Sequence, residues 1–422
     1  MHRTPRVSYC FFSILLLPLS ALALGWNLQY QDPNGRTLYG VKFVDQVHGW
    51  AVGAEGVILY TTNGGNSWDS LDSHTSNTLR GVSFVNATHG WAVGDSGTIL
   101  RTTDGTTWEM QTSGTTNILR SVSFVDNLHG TAVGESGTIL NTTDGGMNWL
   151  AQTSGTPYAL NSVCFVDRNR GWAIGGRYAY PDTENMRSII LHTTNAGLNW
   201  INQNSNIIFP LYGLSFTDSL HGWIVGRYVD EIFALHSSII HTDNGGLNWI
   251  TQNIGGTLND VSFCDTNHGL IACIGNTLYS SNGGEYWLFE ELQAYSIQYG
   301  ISLVDSVHGW AVGEDGFIQN FSGYTSVTDN DKILPIQSRL VQSYPNPFNS
   351  STTIVYSLVK SSAVRIEVYD VSGRKISILV NATQNAGFYR VHFDGQHLPS
   401  GVYFCRFMAG KNVQTRKLIL MR

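Results

Sequence analysis

Short apolar runs alternate with polar turns along this chain, and the alternation itself repeats. A unit of about 40 residues reads roughly Leu-x-x-Val-Ser-Phe-Val-Asp-x-x-His-Gly-Trp-Ala-Val-Gly-x-x-Gly-x-Ile-Leu-x-Thr-Thr-x-Gly-Gly-x-x-Trp and recurs to about residue 320. Within one unit, Val82-Ser83-Phe84-Val85 alternates as a half-buried strand does, and Trp91-Ala92-Val93 is continuously apolar, as a strand covered on both faces would be. Gly94-Asp95-Ser96-Gly97 predicts a tight hairpin whose glycines take positive φ. Thr98–Arg101 follows as a third strand, and Trp108 opens a fourth after the turn at Thr102-Thr103-Asp104-Gly105. Four short strands per unit are the pattern of a propeller blade.

The His-Gly landmark falls at His48, His89, His129, His221, His268 and His308, and Arg170-Gly171 holds the same place between the third and fourth, which makes seven units. The closing tryptophan falls only six times, at Trp68, Trp108, Trp149, Trp200, Trp249 and Trp287. The missing piece lies at the other end: Trp26-Asn27-Leu28-Gln29 resembles Trp108-Glu109-Met110-Gln111 and has no unit of its own. An open sheet edge leaves N–H and C=O groups unpaired, and a ring closes if the first strand completes the last blade. The expected fold is therefore all-β: a seven-bladed β-propeller over 24–321, with Trp26–Gln31 as the outer strand of blade seven.

The turn before each tryptophan resembles the Asp-box, or BNR repeat, Ser/Thr-x-Asp/Asn-x-Gly-x-x-Trp. Copies run from Thr61, Thr142, Thr193, Thr242 and Ser280, and the copy ending at Trp108 is one residue short. Each closing tryptophan is expected to pack between neighbouring blades. The wider repeat resembles the photosystem II assembly and stability factor family of propellers, which shares the wording Phe-Val-Asp-x-x-His-Gly-Trp-Ala-Val-Gly. That family helps assemble a membrane complex in photosynthetic organisms and relies on a basic surface. Arg80, Arg101 and Arg120 sit at repeat positions here, but other units carry Gly40, Asn161, Tyr212 and Asn259 in the place of Arg80. No continuous arginine stripe follows, so the resemblance implies a fold and not a role in photosynthesis.

The two ends differ from the repeat. Residues 1–23 read as a secretory signal peptide: Arg3 and Arg6, the apolar stretch Phe11–Leu19, then Ala21-Leu22-Ala23 as a small-residue cleavage site. No other segment is apolar enough for a membrane helix. After a polar linker over 322–340, residues 341–422 carry Tyr344-Pro345-Asn346-Pro347-Phe348-Asn349 and Leu398-Pro399-Ser400-Gly401-Val402-Tyr403. This region resembles the type A C-terminal sorting domain of the type IX secretion system. The resemblance implies a small Ig-like β-sandwich, engagement of the outer-membrane export machinery, a Gram-negative source, and a secreted or cell-surface destination reached through the periplasm.

Charged residues are 13% of the chain and the net charge is −7, which argues against nucleic acid, since phosphate contacts need a basic footprint. Cys164, Cys264, Cys273 and Cys405 do not recur with the repeat. Cys264 and Cys273 flank one hairpin, either facing each other or as isolated small core residues. The repeated histidines sit one per blade on equivalent turns, so no three converge as zinc would require. No metal site, cofactor or catalytic set is expected. Glu55, Asp95, Glu135, Glu314 and Asp315 fall in second hairpins and predict a weakly acidic rim.

The departure from the repeat lies in blades four and five, where that hairpin expands to Gly176–Arg187 and Arg227–His236. Both insertions begin Gly-Arg-Tyr. Arginine and tyrosine are enriched at binding hot spots, and insertions on one face of a repeat protein are often its binding surface. The candidate ligand-binding residues are Arg177, Tyr178, Tyr180, Arg187, Arg227, Tyr228 and Phe233. The expected function is an exported, non-catalytic binding protein whose partner is a protein or a glycan. The alternatives are an Asp-box hydrolase of sialidase or endoglucanase type, which needs paired carboxylates, and a structural surface protein without a ligand.

Overall fold

The computed structural model describes residues 25–177, 186–203, 207, 209–229, 235–254, 256–291, 296–322, 338–344, 346–385, 387–410 and 412–421. The described residues form antiparallel sheets and a few single-turn 3-10 segments.

Before the linker, seven four-stranded sheets follow one another among the described residues. In the first, Leu38–Phe43, Gly49–Gly53, Ile58–Thr61 and Asp69–Leu71 pair in chain order. The same order recurs over 79–111, 119–152, 159–202, 211–254 and 258–291. The last sheet joins Gln298–Leu303, His308–Gly313 and Phe317–Ser322 to a strand from the other end of the repeat region, Gly25–Gln31. That strand runs antiparallel to Phe317–Ser322, with Trp26 opposite Phe321 and Gln31 opposite Phe317.

Sequence repetition becomes repeated chemistry between sheets. Trp50 stacks on Phe84 of the next sheet at 3.6 Å between centroids, and Trp91 on Phe124 at 3.4 Å, Trp172 on Phe216 at 3.7 Å and Trp223 on Phe263 at 3.6 Å. Trp310 of the last sheet stacks on Phe43 of the first at 3.5 Å. The indole N–H of Trp50, Trp91 and Trp223 donates to Gly105, Gly145 and Gly283 in the Asp-box turn of the following sheet. The expected packing of the Asp-box tryptophans between neighbouring sheets is present: Trp108 is buried in one cluster with Trp50 and Ile58 of the preceding sheet, and Trp149 in one with Trp91 and Val93. The Asp-box tryptophans lie edge-on against the phenylalanine of their own sheet, as Trp68 does on Phe43 at 5.8 Å and Trp287 on Phe263 at 5.8 Å. The tryptophan of the second strand makes the stacked contact across sheets.

The Asp-box turns are built as their composition dictates. The Thr61 hydroxyl accepts the N–H of Gly65 at 2.9 Å and donates to the Asn63 amide oxygen, which accepts the N–H of Ser67 at 3.0 Å. The same set recurs at Thr142, Thr193 and Thr242. The Asp-x-x-His turns are likewise local: Asp305 accepts the N–H of Val307 and His308, and its carboxylate lies 2.9 Å from the His308 ring nitrogen.

One expectation changes, and one left open is decided. In the hairpin at Gly94–Gly97 the glycine at the start is extended, at φ −168, and the left-handed residues are Ser96, at φ 55, and Gly97, at φ 69. A Cβ on Gly97 would run into the Thr115 carbonyl oxygen, so that glycine is fixed by a close approach as well as by its backbone angle. Cys264 and Cys273 are free thiols. The register puts Cys273 opposite Leu258, at the far end of its hairpin from Cys264.

The C-terminal region forms two facing sheets, Arg339–Tyr344, Ser351–Leu358 and Gly387–Asp394 on one side, and Ser362–Asp370, Lys375–Gln384, Gly401–Ala409 and Asn412–Leu420 on the other. Ile354, Tyr356, Ile366, Val368, Phe393 and Phe407 fill one core between them.

Candidate binding rim at the central cavity

The first strands of all seven sheets line a cavity of about 440 Å³. Each of those strands carries a β-bulge near its start: Leu79 faces Gly94, Gly81 faces Val93, and Arg80 between them has no partner. The corresponding extra residues are Tyr39, Arg120, Asn161, Tyr212, Asn259 and Tyr299. A bulge re-aims a side chain and ends regular pairing, and here it happens at one level of every sheet. The register corrects the sequence alignment by one residue, since Tyr39 and not Gly40 stands in the place of Arg80.

These residues hold one another across sheets. Tyr39 and Tyr299 rings lie 5.4 Å apart, and the Arg80 guanidinium sits 5.5 Å from the Tyr39 ring. The Arg227 guanidinium lies 4.8 Å over Tyr212 and donates to the Asn259 amide oxygen at 3.2 Å. The Asn161 and Asn259 amides donate to main-chain carbonyls of the next sheet, at Leu211 and Gln298. Cation–aromatic contacts of this kind contribute about 0.5–1 kcal/mol where exposed, so the ring is held in place while its faces stay half-exposed.

The expected acidic rim is partly neutralised. Arg80 grips Asp95 through two hydrogen bonds, at 2.5 and 3.1 Å, and Arg120 pairs with Glu135 at 3.0 Å. Glu55 and Asp315 stand one residue later in their turns, at the left-handed position, and do not share the placement of Asp95 and Glu135. Burial raises the Tyr299 phenol above its ordinary value, with the Glu314 charge adding to the effect.

The two Gly-Arg-Tyr sequences are out of step. Gly175 faces Leu160 and Gly226 faces Leu211, which makes Gly176 the counterpart of Arg227 and Arg177 the counterpart of Tyr228. A one-residue offset on a strand reverses the face presented. Arg227 accordingly reaches the rim. Arg177 is exposed opposite Arg187 in the same hairpin, and Tyr228 stacks on Phe209 at 5.2 Å. Tyr178, Tyr180 and Phe233 lie outside the described residues. Sequence reasoning missed Tyr39 and Tyr299, although their signal was available as the residue after the first apolar position of each unit.

The turn histidines are committed to their own turns, and no cluster of metal-ligating side chains occurs among the described residues. No helix among them is long and apolar enough to cross a membrane.

Residues 342–421 match the family described as the secretion system C-terminal sorting domain, and residues 20–105 and 106–210 match the family described as photosynthesis system II assembly factor YCF48. No curated protein matches the chain. Among solved structures, it is similar to "YCF48 bound to D1 peptide", with 21% identity over 70% of this chain and 96% of that one and a TM-score of 0.56. It is similar to YCF48 from Cyanidioschyzon merolae, with 22% identity over 71% of this chain and 98% of that one and a TM-score of 0.55. The WD40 β-propeller domain of Doa1 is also similar, at 13% identity, 71% and 98% coverage and a TM-score of 0.56. At these identities the likeness defines the fold, a β-propeller. The chain thus joins a YCF48-like, BNR-type propeller to a type IX sorting tail.

Proposed function

We propose that this chain is an exported, non-catalytic interaction protein that captures an extended peptide segment of a partner protein on the bulge rim. The architecture in this reading is a seven-bladed propeller closed by its N-terminal strand. Its support is the pairing of Gly25–Gln31 with Phe317–Ser322 and the stack of Trp310 on Phe43. The observation that carries the binding site is the ring of bulged tyrosines and guanidinium groups, pre-positioned and half-exposed around one opening. Such a surface suits a peptide: tyrosine faces supply apolar contact, and arginines accept carboxylates or carbonyls as partners. The YCF48 structure with a bound D1 peptide is consistent with that use of the fold. A hydrolase would need free paired carboxylates, and Asp95 and Glu135 are bound to arginines. The sorting tail supports secretion to the cell surface; the signal peptide at 1–23 and the Gram-negative source in this reading rest on the sequence pattern alone.

The test is selection from a phage-displayed peptide library on wild-type protein, followed by affinity measurements on the selected peptides. Tyr212→Ala/Arg227→Ala is expected to weaken them by roughly tenfold or more, the usual scale of a hot-spot pair. Unchanged affinity would remove the rim from consideration. Cleavage of any member of a polysaccharide and sialoside panel would replace this reading with the hydrolase.

A further inference from the structure

Below the rim, the cavity has a second level with its own chemistry. Beyond the bulge, at one equivalent position of the first strands, stand Lys42, Ser83, Ser123, Cys164, Ser215, Ser262 and Ser302. Five of the serines do one job. The Ser83 hydroxyl oxygen accepts the N–H of Phe124 at 3.1 Å, Ser123 that of Phe165 at 3.0 Å, and Ser215 that of Phe263 at 3.0 Å. Ser262 accepts the N–H of Leu303 at 3.0 Å and Ser302 that of Phe43 at 3.1 Å.

A hydroxyl has one proton to give. With the oxygen occupied by a main-chain N–H, that proton remains, and none of the hydrogen bonds among the described residues uses it. Ser83, Ser123, Ser215 and Ser262 line the cavity with Lys42 and Cys164.

Lys42 breaks the serine pattern. It carries three donors and no acceptor. It lines the cavity, open to solvent there, and makes no hydrogen bond or ion pair among the described residues. Desolvation by the strands around it lowers its pKa, although its accessible surface faces the cavity. The carboxylate lining the same cavity, Asp260, is committed elsewhere: its oxygens accept the N–H of Val261 at 2.9 Å and of Ile301 at 3.1 Å. Burial lifts that carboxyl to about 7, so at neutral pH it carries only part of a charge.

We infer that this level of the cavity binds a small oxyanion, an inorganic phosphate or a short carboxylate, between the Lys42 ammonium and the hydroxyls of Ser83, Ser123, Ser215 and Ser262. Hydroxyl donors beside a cation without an ion-pair partner are complementary to an ion that mainly accepts. The site does not depend on the peptide rim above it.

The experiment is thermal unfolding of the full chain at constant ionic strength, with chloride replaced stepwise by phosphate or, in a second arm, by malonate. Wild type is expected to show a saturable rise in Tm with one of them, and the responding arm assigns the anion. Lys42→Ser restores the serine of the other repeats, and Lys42→Met keeps the length without charge. Both are expected to raise the dissociation constant by roughly tenfold or more, the equivalent of one charged hydrogen bond. Lys42→Arg is expected to retain binding. Tyr212→Ala/Arg227→Ala is expected to respond as wild type, so failure here and failure of the peptide rim are separable. No saturable response in wild type, or an equal response in both uncharged variants, would overturn the inference.

Discussion

Asp260 shows how one substitution in a repeat changes the energetics of a position. Ser121 occupies the same register in the third sheet and accepts the N–H of Val163, as Asp260 accepts that of Ile301. The serine does this without a charge. The aspartate is raised from 3.8 to about 7 because burial outweighs its two main-chain hydrogen bonds. A carboxyl with a raised folded pKa binds its proton more tightly in the native state. Its contribution is fully present below about pH 4 and is lost as pH rises through about 7. Asp260→Ser is therefore expected to flatten stability between those limits relative to wild type, as read from urea midpoints across pH. Asp144 titrates in the opposite sense: hydrogen bonds from the Asn148 side chain and main chain hold it at about 2, so its contribution is fully present above the ordinary value of 3.8 and is lost as pH falls from there through about 2. Residue-level chemistry was legible where a motif is local, as in the Asp-boxes and the Asp-x-x-His turns, because donor and acceptor lie within four residues. The rim was legible in part: the repeat aligned Arg80, Arg120, Asn161, Tyr212 and Asn259, while Tyr39 was missed by one residue, Tyr299 was passed over, and nothing marked the bulge that re-aims them. The pairing of Arg80 with Asp95 spans 15 residues and depends on that bulge.

Individual strands were readable from alternation, and so was the orphan segment at Trp26. Its role is visible in one side chain: the Gln29 amide donates to Gly64 in the next Asp-box turn, as Gln203 donates to Gly245. Removing residues 26–31 takes away the pairing of Phe317–Ser322 and the Gln29 link together. A chain beginning at Thr37 is expected to lose hydrogen-exchange protection over 308–322 first. Protection equal to wild type would contradict the role given to the strand. Both recurring tryptophans are buried between two sheets, and which of them makes the stacked contact could not be read from spacing, since both recur once per unit. Geometry separates them: Trp50 is fully buried, stacks on Phe84 and donates to Gly105. Trp50→Ala is expected to cost about 3–5 kcal/mol in chemical denaturation, with the Gly105 carbonyl left without its donor. Leu150→Ala, on an outer strand and 70% exposed, is expected to change stability by less than about 0.5 kcal/mol.

On the scale of the molecule, the sequence divides into a repetitive part and a tail of different pattern, and the family matches fall on either side of the same linker. Residues 338–422 fused to a passenger are expected to direct it to the surface of a host with type IX machinery, as followed by protease accessibility on intact cells; deletion of the same segment is expected to retain the propeller inside. The antiparallel pairing of Trp26 with Phe321 also sets a timetable. The strand Gly25–Gln31 is made early, and its partner Phe317–Ser322 only after the six intervening sheets. At roughly 5–20 residues per second, that edge spends on the order of 15–60 s with its main-chain groups unmatched, a window in which a chaperone or a neighbouring chain competes for it. The tail is completed only after that partner strand, so the sorting address becomes readable once the early segment has something to pair with.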